Sequence, residues 1–440
     1  MQVRISDRID QAPIGPFQLR TVFLCVLVAL LDGLDVQTMA LVIPTLADHW
    51  GIQKASFGPV LSASFAGLMI GALAGGILGD RHGRRIILIV AFMVVGSASI
   101  LTATAQSAQG LIGWRFLTGL GIGACMPNFT VLTAEYIPTH RQAFFITLLY
   151  SAIPVGGILG GFLAPAVIAH SGWQAVFILS GLIPLSIAIM LFVWLPESPR
   201  YLAGCEGGRD RLAAILERID PSYRSADTHQ FVVDARIEGS PVGALFRSGR
   251  TARTLILWLI LFCNLGGLYL ITSWLPTLLV RDGWSNSLAA QSISYFWIGG
   301  ALGCIAVGWL IDRFGPYNVL SVVFIADAVF TALIGLTERS YGPMMSVLVL
   351  GGFIISAAQT GTMVLAARLY PTSIRSTGVG WGLGVGRIGA IISPLLGGAA
   401  LAAQWSRQSL FLTAAVPAIV CAIAMLLLRR TMLGRGAVHA

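Results

Sequence analysis

Twelve separate runs of mostly apolar residues dominate this chain of 440 residues. They fall near 21–44, 57–79, 86–106, 110–134, 143–168, 174–195, 252–279, 290–311, 318–337, 342–366, 376–400 and 409–428. Each approaches or exceeds the ~20 apolar residues that a helix needs to cross a bilayer. The chain is 56% hydrophobic and 11% charged, with a mean hydropathy of +0.82. A soluble domain carries about 25% charge, so no soluble core absorbs this sequence. Inside hydrocarbon each backbone N–H and C=O must be satisfied within its own segment, and consecutive apolar runs of this length do so as helices. The expected fold class is an all-α membrane protein of twelve transmembrane helices in two six-helix halves. Its 51 glycines suit the close helix packing of such a bundle.

A polar segment of about 55 residues, 197–251, parts the first six spans from the last six. It carries many charges together with Pro199, Pro221 and Pro241, and one short helix is expected near 209–219. The division is therefore 1–196 for the first half, 197–251 for a linker and 252–440 for the second half. Lys and Arg favour the cytoplasmic side of short loops. With the N-terminus inside, 22 of the 28 Lys and Arg fall in inside segments, and only Lys54, Arg281, Arg339 and Arg407 fall in outside loops. The net charge of +9 is thus read as orientation, with both termini cytoplasmic, and not as a nucleic-acid surface. The first span is too long for a secretory signal and has no small-residue cleavage site, so it is expected to stay in place.

The six cysteines form no C-x-x-C pair, and no histidine lies in mid-span. No metal or organic cofactor is expected.

The halves repeat. GILGDRHGRR (76–85) follows span 2 and GWLIDRFGPY (308–317) follows span 8, offset by 232 residues. YIPTHR (136–141) follows span 4 and YPTSIR (370–375) follows span 10. Parallel repeats of this kind place a substrate site near the midplane between halves. G-x-L-x-D-R-x-G-R-R between spans 2 and 3, with its weaker copy between spans 8 and 9, resembles the major facilitator superfamily over essentially the whole chain. DGLD in span 1, RFLTGLGIGACMPN in span 4, LPESPRYL after span 6 and GVGRIGAIISP in span 11 resemble its aromatic acid/proton symporter family. That resemblance implies a bacterial inner-membrane importer of benzoates, hydroxybenzoates, phenylpropanoids or similar acids. LPESPRYL is shared with sugar porters and discriminates less.

Charged residues in mid-span are costly and mark function. Asp32 and Asp35 lie three residues apart, on one helix face, and Gly33 between them lets another backbone approach. Desolvation and a like-charged neighbour both favour the neutral acid, so the pair reads as an exchangeable proton site or as a structural polar pair. Arg115 opens R-x-x-x-G-x-G-x-G in span 4. The resemblance links it to proton coupling, and the alternative is an arginine snorkelling outward. Arg387, near the middle of span 11, keeps its charge and needs an anion, either a protein carboxylate in a structural pair or a substrate carboxylate gripped bidentately. The resemblance implies that spans 4, 7 and 10 line the cavity, so Asn128, Asn264 and Gln359 are candidate ligands and Trp274 a candidate aromatic wall, with ordinary helix packing the alternative for each. Asp80, Arg81, Arg84 and Arg85, with Glu135, Arg141, Asp312, Arg313 and Arg375, read as cytoplasmic gating groups. Pro316 and Tyr317 replace two arginines in the second copy, so its charge network should be weaker. Asp327, in mid-span 9, reads as structurally hydrogen-bonded.

The expected function is proton-driven import of a small aromatic or related carboxylate by a monomer in the lipid bilayer. A sugar or polyol symporter is the alternative, although such a site needs many neutral hydrogen-bonding groups where this chain places charges. An enzyme is not expected: no H-E-x-x-H, G-x-S-x-G or intramembrane histidine is present.

Overall fold

The computed structural model describes residues 2–205, 207–220, 230–232, 242–247, 249–371 and 374–436. Among them, eleven helices are long and apolar enough to cross a membrane. After a short α1 (Ile5–Gln11) come α2 (Pro16–Trp50), α3 (Gly58–His82), α4 (Arg84–Thr102), α5 (Ala108–Tyr136) and α6 (Thr139–Trp194). The linker carries α7 (Pro199–Gly204) and α8 (Arg209–Ile219). Then follow α9 (Thr251–Arg281), α10 (Asn286–Phe314), α11 (Pro316–Leu336), α12 (Tyr341–Leu369), α13 (Arg375–Ala402) and α14 (Arg407–Gly436). The 56-residue α6 is broken at Gly172, whose φ of 76° and ψ of 172° are not helical. That left-handed φ favours glycine, and the break yields two spans from one continuous run. The twelve expected spans are thereby accounted for.

The expected helix at 209–219 is α8. The linker stretches 221–229 and 233–241, with Pro221 and Pro241, lie outside the described residues. The N-terminal tail, which reads as a plain polar segment, is tied down in three places. Gln2–Arg4 pairs in parallel with Gln230–Val232. Asp10 accepts from the Thr139 backbone N–H at 2.6 Å and from its hydroxyl at 3.0 Å, and Arg8 lies 3.6 Å from Asp220.

Lipid tails are as apolar as leucine, so helices in a bilayer associate through close backbone packing at small residues. In α3 a Cβ added to Gly67 would lie 2.1 Å from the Phe116 carbonyl oxygen of α5, and one at Gly71 would lie 2.0 Å from that of Leu120. In α10 the same holds of Gly299 against Val349 (1.8 Å) and Gly303 against Phe353 (2.0 Å) of α12. Gly299 and Gly303 stand 232 residues after Gly67 and Gly71, the offset of the D-R-x-G loops. The sequence repeat is therefore also a repeat of helix packing. The outer surface is apolar, with Leu73, Ile189, Ile305, Val322 and Leu396 all more than 60% exposed, as lipid contact requires.

Two compact units emerge from the packing. One comprises Met1–Val36, Ala66–Gly156 and Gln174–Arg236; the other comprises Gln37–Phe65, Gly157–Trp173 and Ile237–Ala440. The second unit thus joins the end of α2, the start of α3 and the middle of α6 to the second-half helices. Ser62 donates to the Ile391 carbonyl of α13 at 2.7 Å, and Ser294 of α10 donates to the Ile158 carbonyl at 2.7 Å. Grouping by packing and division by sequence repeat describe different properties of the chain.

Gly71→Val is expected to destabilise the protein by about 1–3 kcal/mol or more, because the contact it blocks is with backbone, which cannot rotate away. Gly113→Val, where nothing lies within 4 Å of the added Cβ, should leave the unfolding temperature in detergent nearly unchanged. Equal melting of the two variants would refute the close-packing account.

Candidate functional site

The first unit holds the span 1 carboxylates. Asp32 and Asp35 are 5% and 3% exposed. A Cβ on Gly33 would lie 1.9 Å from the Ile153 carbonyl oxygen of α6, so glycine between the aspartates is what lets α6 approach. Arg115 of α5 is 1% exposed and does not snorkel outward. Its Nη2 donates to Asp35 Oδ2 at 2.9 Å, its Nη1 to Oδ1 at 3.3 Å, and its Nη2 also to the Asp35 carbonyl at 3.3 Å. The fork of guanidinium on carboxylate joins α2 to α5, and Gly123 on α5 lies so near Leu68 of α3 that an added Cβ would be 2.1 Å from its carbonyl oxygen. A buried pair of this kind repays its desolvation only with good geometry and added hydrogen bonds, and both are present.

A second charged group sits at the end of the first unit near the chain's N-terminus. Arg84, at the start of α4, pairs with Glu135 at the end of α5, lies 3.2 Å from Asp80 and donates to the Ser198 hydroxyl at 3.0 Å. Ser198 donates to Glu135 in turn, and its hydroxyl also caps α7 by accepting from the Tyr201 N–H at 3.1 Å. Glu197 accepts from the Arg85 backbone N–H at 3.1 Å, and Tyr136 donates its hydroxyl to the Glu197 carbonyl at 2.7 Å. Thus the D-R-x-G-R-R loop, the end of span 4 and the Glu-Ser of LPESPRYL form one network. Ser198, Glu197 and Tyr136 carry no role in the sequence reading. The signal for Glu197 and Ser198 was the LPESPRYL motif and that for Tyr136 the repeated YIPTHR; both show their purpose only when the chain returns to α4. Glu135 takes Arg84 as its partner, while Arg81 and Arg141 are exposed.

The second copy of the loop is sparser, as its missing arginines imply. Asp312 accepts from Arg368 at 2.8 Å, with side chains 74% and 51% exposed. Arg313 lies over the Trp309 ring at 5.5 Å, and Arg375 is exposed. Asp327 is buried and accepts from the Thr331 hydroxyl at 3.0 Å.

Two expected ligands are committed to helix packing. Asn128 donates to the Gly75 and Ala124 carbonyls, both at 2.8 Å, and its amide fills the space beside Gly79, where a Cβ would be 1.9 Å from Oδ1. Trp274 is 0% exposed, and its indole N–H donates to the Pro394 carbonyl at 3.1 Å. A Cβ on Gly397 would meet that ring at 2.3 Å. Both side chains hold helices together, a role that residue type alone does not distinguish from ligand binding.

Arg387 and Gln359 stand differently. Arg387 is half-buried and shares a stripe of α13 with Ile391, Pro394 and Gly398. That stripe meets the α3 end: Ser62 reaches the Ile391 carbonyl, and a Cβ on Gly58 would be 3.1 Å from that of Pro394. Gln359 of α12 is half-buried, and its Oε1 is buried with no hydrogen bond among the described residues.

Removing one member of the Asp35–Arg115 pair leaves a buried charge uncompensated. Arg115→Met is expected to cost about 3–5 kcal/mol of stability, and adding Asp35→Asn should recover much of it. Thermal unfolding of the two single variants and the double variant measures the coupling; additive losses would mean that the pair contributes nothing as a pair.

The Major Facilitator Superfamily profile matches residues 25–338 and 308–436. The 4-hydroxybenzoate transporter PcaK of Pseudomonas aeruginosa is 38% identical, covering 95% of this chain and 94% of that protein. The gallate transporter of Pseudomonas putida is 39% identical over 96% and 94%. A bacterial homolog of the human lysosomal transporter Spinster superposes with a TM-score of 0.73 at 16% identity, over 96% of this chain and 99% of that one. With its twelve spans, its repeated loops and its charged spans 1, 4 and 11, this chain is a transporter and not an enzyme, and it belongs to the aromatic acid/proton symporter family of the Major Facilitator Superfamily.

Proposed function

We propose that this protein imports an aromatic or related organic acid across the bacterial inner membrane together with protons, with both termini in the cytoplasm. The observation that carries the substrate class is the near end-to-end identity of 37–39% with relatives named for 4-hydroxybenzoate and gallate. Likeness to a xylose transporter structure at 15% identity speaks to fold alone, so it lends no weight to the sugar alternative.

The proposed coupling site is Asp32, Asp35 and Arg115. A proton taken up by Asp35 removes the negative half of its ion pair and weakens the tie between α2 and α5. A conformational change driven this way needs the two states to differ in proton affinity, and an ion pair present in one and parted in the other provides that difference. Arg387 is the proposed ligand of the substrate carboxylate. One proton with one monoanion is electroneutral and feels only the pH gradient, whereas a second proton adds ~2.3 kcal/mol per 100 mV of membrane potential. Asp80, Arg84, Glu135 and Ser198 are proposed to lock the cytoplasmic ends of α3, α4 and α5, with Arg81, Arg85 and Arg141 around them. Asp312, Arg313 and Arg375 form the lighter counterpart in the second half.

Asp35→Asn and Asp32→Asn should abolish accumulation against a gradient in proteoliposomes while the protein still folds and exchanges substrate down its gradient. Uphill uptake by both variants would place the proton site elsewhere. For the carboxylate, binding of an aromatic acid and its methyl ester to purified protein is the measure. The wild type should prefer the acid, and Arg387→Ala should lose about 2 kcal/mol or more, roughly thirtyfold, with the preference gone. Arg387→Lys keeps charge but not the planar fork, so it should bind weakly. Equal binding of acid and ester by the wild type would sink the carboxylate assignment.

A further inference from the structure

Three amide atoms in the second unit have no hydrogen bond among the described residues: Asn264 Oδ1, Asn264 Nδ2 and Gln359 Oε1. Asn264 is 4% exposed. Buried amides of this kind are costly and call for an explanation.

Their positions are related. Tyr370, at the end of α12, donates its hydroxyl to Thr254 near the start of α9 at 3.3 Å, which fixes the register of these antiparallel helices. Ten residues along α9 from Thr254 is Asn264, a rise of about 15 Å; eleven residues back along α12 from Tyr370 is Gln359, a rise of about 16 Å. The two amides therefore stand at nearly the same depth. Arg387 stands there as well, because Gly386 and Gly389 on either side of it pack against the Leu261 and Phe262 carbonyls of α9.

Their faces agree too. On α9 the side carrying Leu261, Phe262 and Leu265 meets α13, and Asn264 lies about 100° round the helix from it, on a stripe with Leu257 and Leu268, both buried. On α12, Gly352 and Ser356 meet α10, Gly351 meets α11 and Gly361 meets both. Gln359 points between these contacts, toward the side left for α9. It is the more exposed of the two amides and so forms the way in to Asn264.

We infer that Asn264 and Gln359 form a subsite that reads a ring hydroxyl of the substrate, at the depth where Arg387 takes its carboxylate; this rests on the aromatic-acid reading above. A phenolic hydroxyl offers one donor and two acceptor lone pairs. It donates to Gln359 Oε1 and accepts from Asn264 Nδ2, which leaves Asn264 Oδ1 for a neighbouring hydroxyl on a polyhydroxylated ring. The substrate is thereby a hydroxylated aromatic acid, and an unsubstituted ring leaves the amides unpaired. A site built to hydrogen-bond a substrate hydroxyl rejects the analogue that lacks it far more strongly than an apolar pocket rejects a missing methylene.

The test uses the full chain in proteoliposomes with 4-hydroxybenzoate, 3,4,5-trihydroxybenzoate and benzoate. The wild type should favour the hydroxylated acids over benzoate by about tenfold or more in apparent affinity. Asn264→Leu and Gln359→Met should each erase most of that preference by weakening the hydroxylated acids far more than benzoate. Because each substitution removes an unpaired buried amide, the ligand-free unfolding temperature should hold or rise. Thermal shift by 4-hydroxybenzoate should fall to that of benzoate, and this readout stands even where a variant transports poorly. A lower ligand-free melting temperature with equal loss for all three acids would mean that the amides are structural, and would overturn the inference. So would a wild type that handles benzoate and the hydroxybenzoates alike while still preferring acid over ester, an outcome that leaves the proposed function standing. Failure to transport any of the three acids would instead remove the function on which the inference rests.

Discussion

Everything in this structure follows from a solvent that offers helices no reason to associate. In water, apolar faces are driven together; in lipid, a leucine gains little by exchanging a lipid tail for another leucine. The helices must therefore be joined by contacts that lipid cannot imitate, namely backbone against backbone and polar group against polar group. Gly67 and Gly71 on α3, and Gly299 and Gly303 on α10, provide the first kind in each half. Asn128 on the Gly75 carbonyl and Trp274 on that of Pro394 provide the second. Both of these side chains look like ligands in the sequence, because a residue able to hydrogen-bond a substrate is equally able to hydrogen-bond a carbonyl across a helix interface.

The same solvent gives charge its significance. A lone arginine or aspartate in hydrocarbon is costly, so where such groups persist they are paired, neutralised or in use. Arg115 and Asp35 satisfy each other through a fork of hydrogen bonds. A tie of this sort is strong while both members are ionised and weak once the carboxylate takes a proton. Packing contacts between glycines have no such dependence. Under the proposed coupling this pair is the contact that switches, set among packing contacts that do not.

The network at Arg84 shows a different use of charge. It gathers a loop after span 2, the end of span 4 and a motif after span 6 around one guanidinium, with Ser198 serving both as helix cap and as bridge. In the second half the corresponding loop has Pro316 and Tyr317 in place of two arginines, and its remaining pair, Asp312 with Arg368, is largely exposed. Exposed pairs contribute little. The two halves share a packing frame but not a charge lock.

By itself the sequence determined the number of spans, their repeat and the identity of the charged residues inside them, because hydropathy and charge are properties of single residues and short windows. It also anticipated the helix near 209–219, the sparser second charge network and the hydrogen-bonded state of Asp327. Partners are a different matter. That Arg115 turns inward to Asp35 instead of outward, that Glu135 takes Arg84, that Ser198 and Glu197 join them, and that Asn264 and Gln359 share one depth are relations between residues far apart in the chain. Helical periodicity gives each side chain a direction about its own axis but says nothing of which helix lies in that direction. Only the tertiary packing, set by where glycines let backbones touch, decides it.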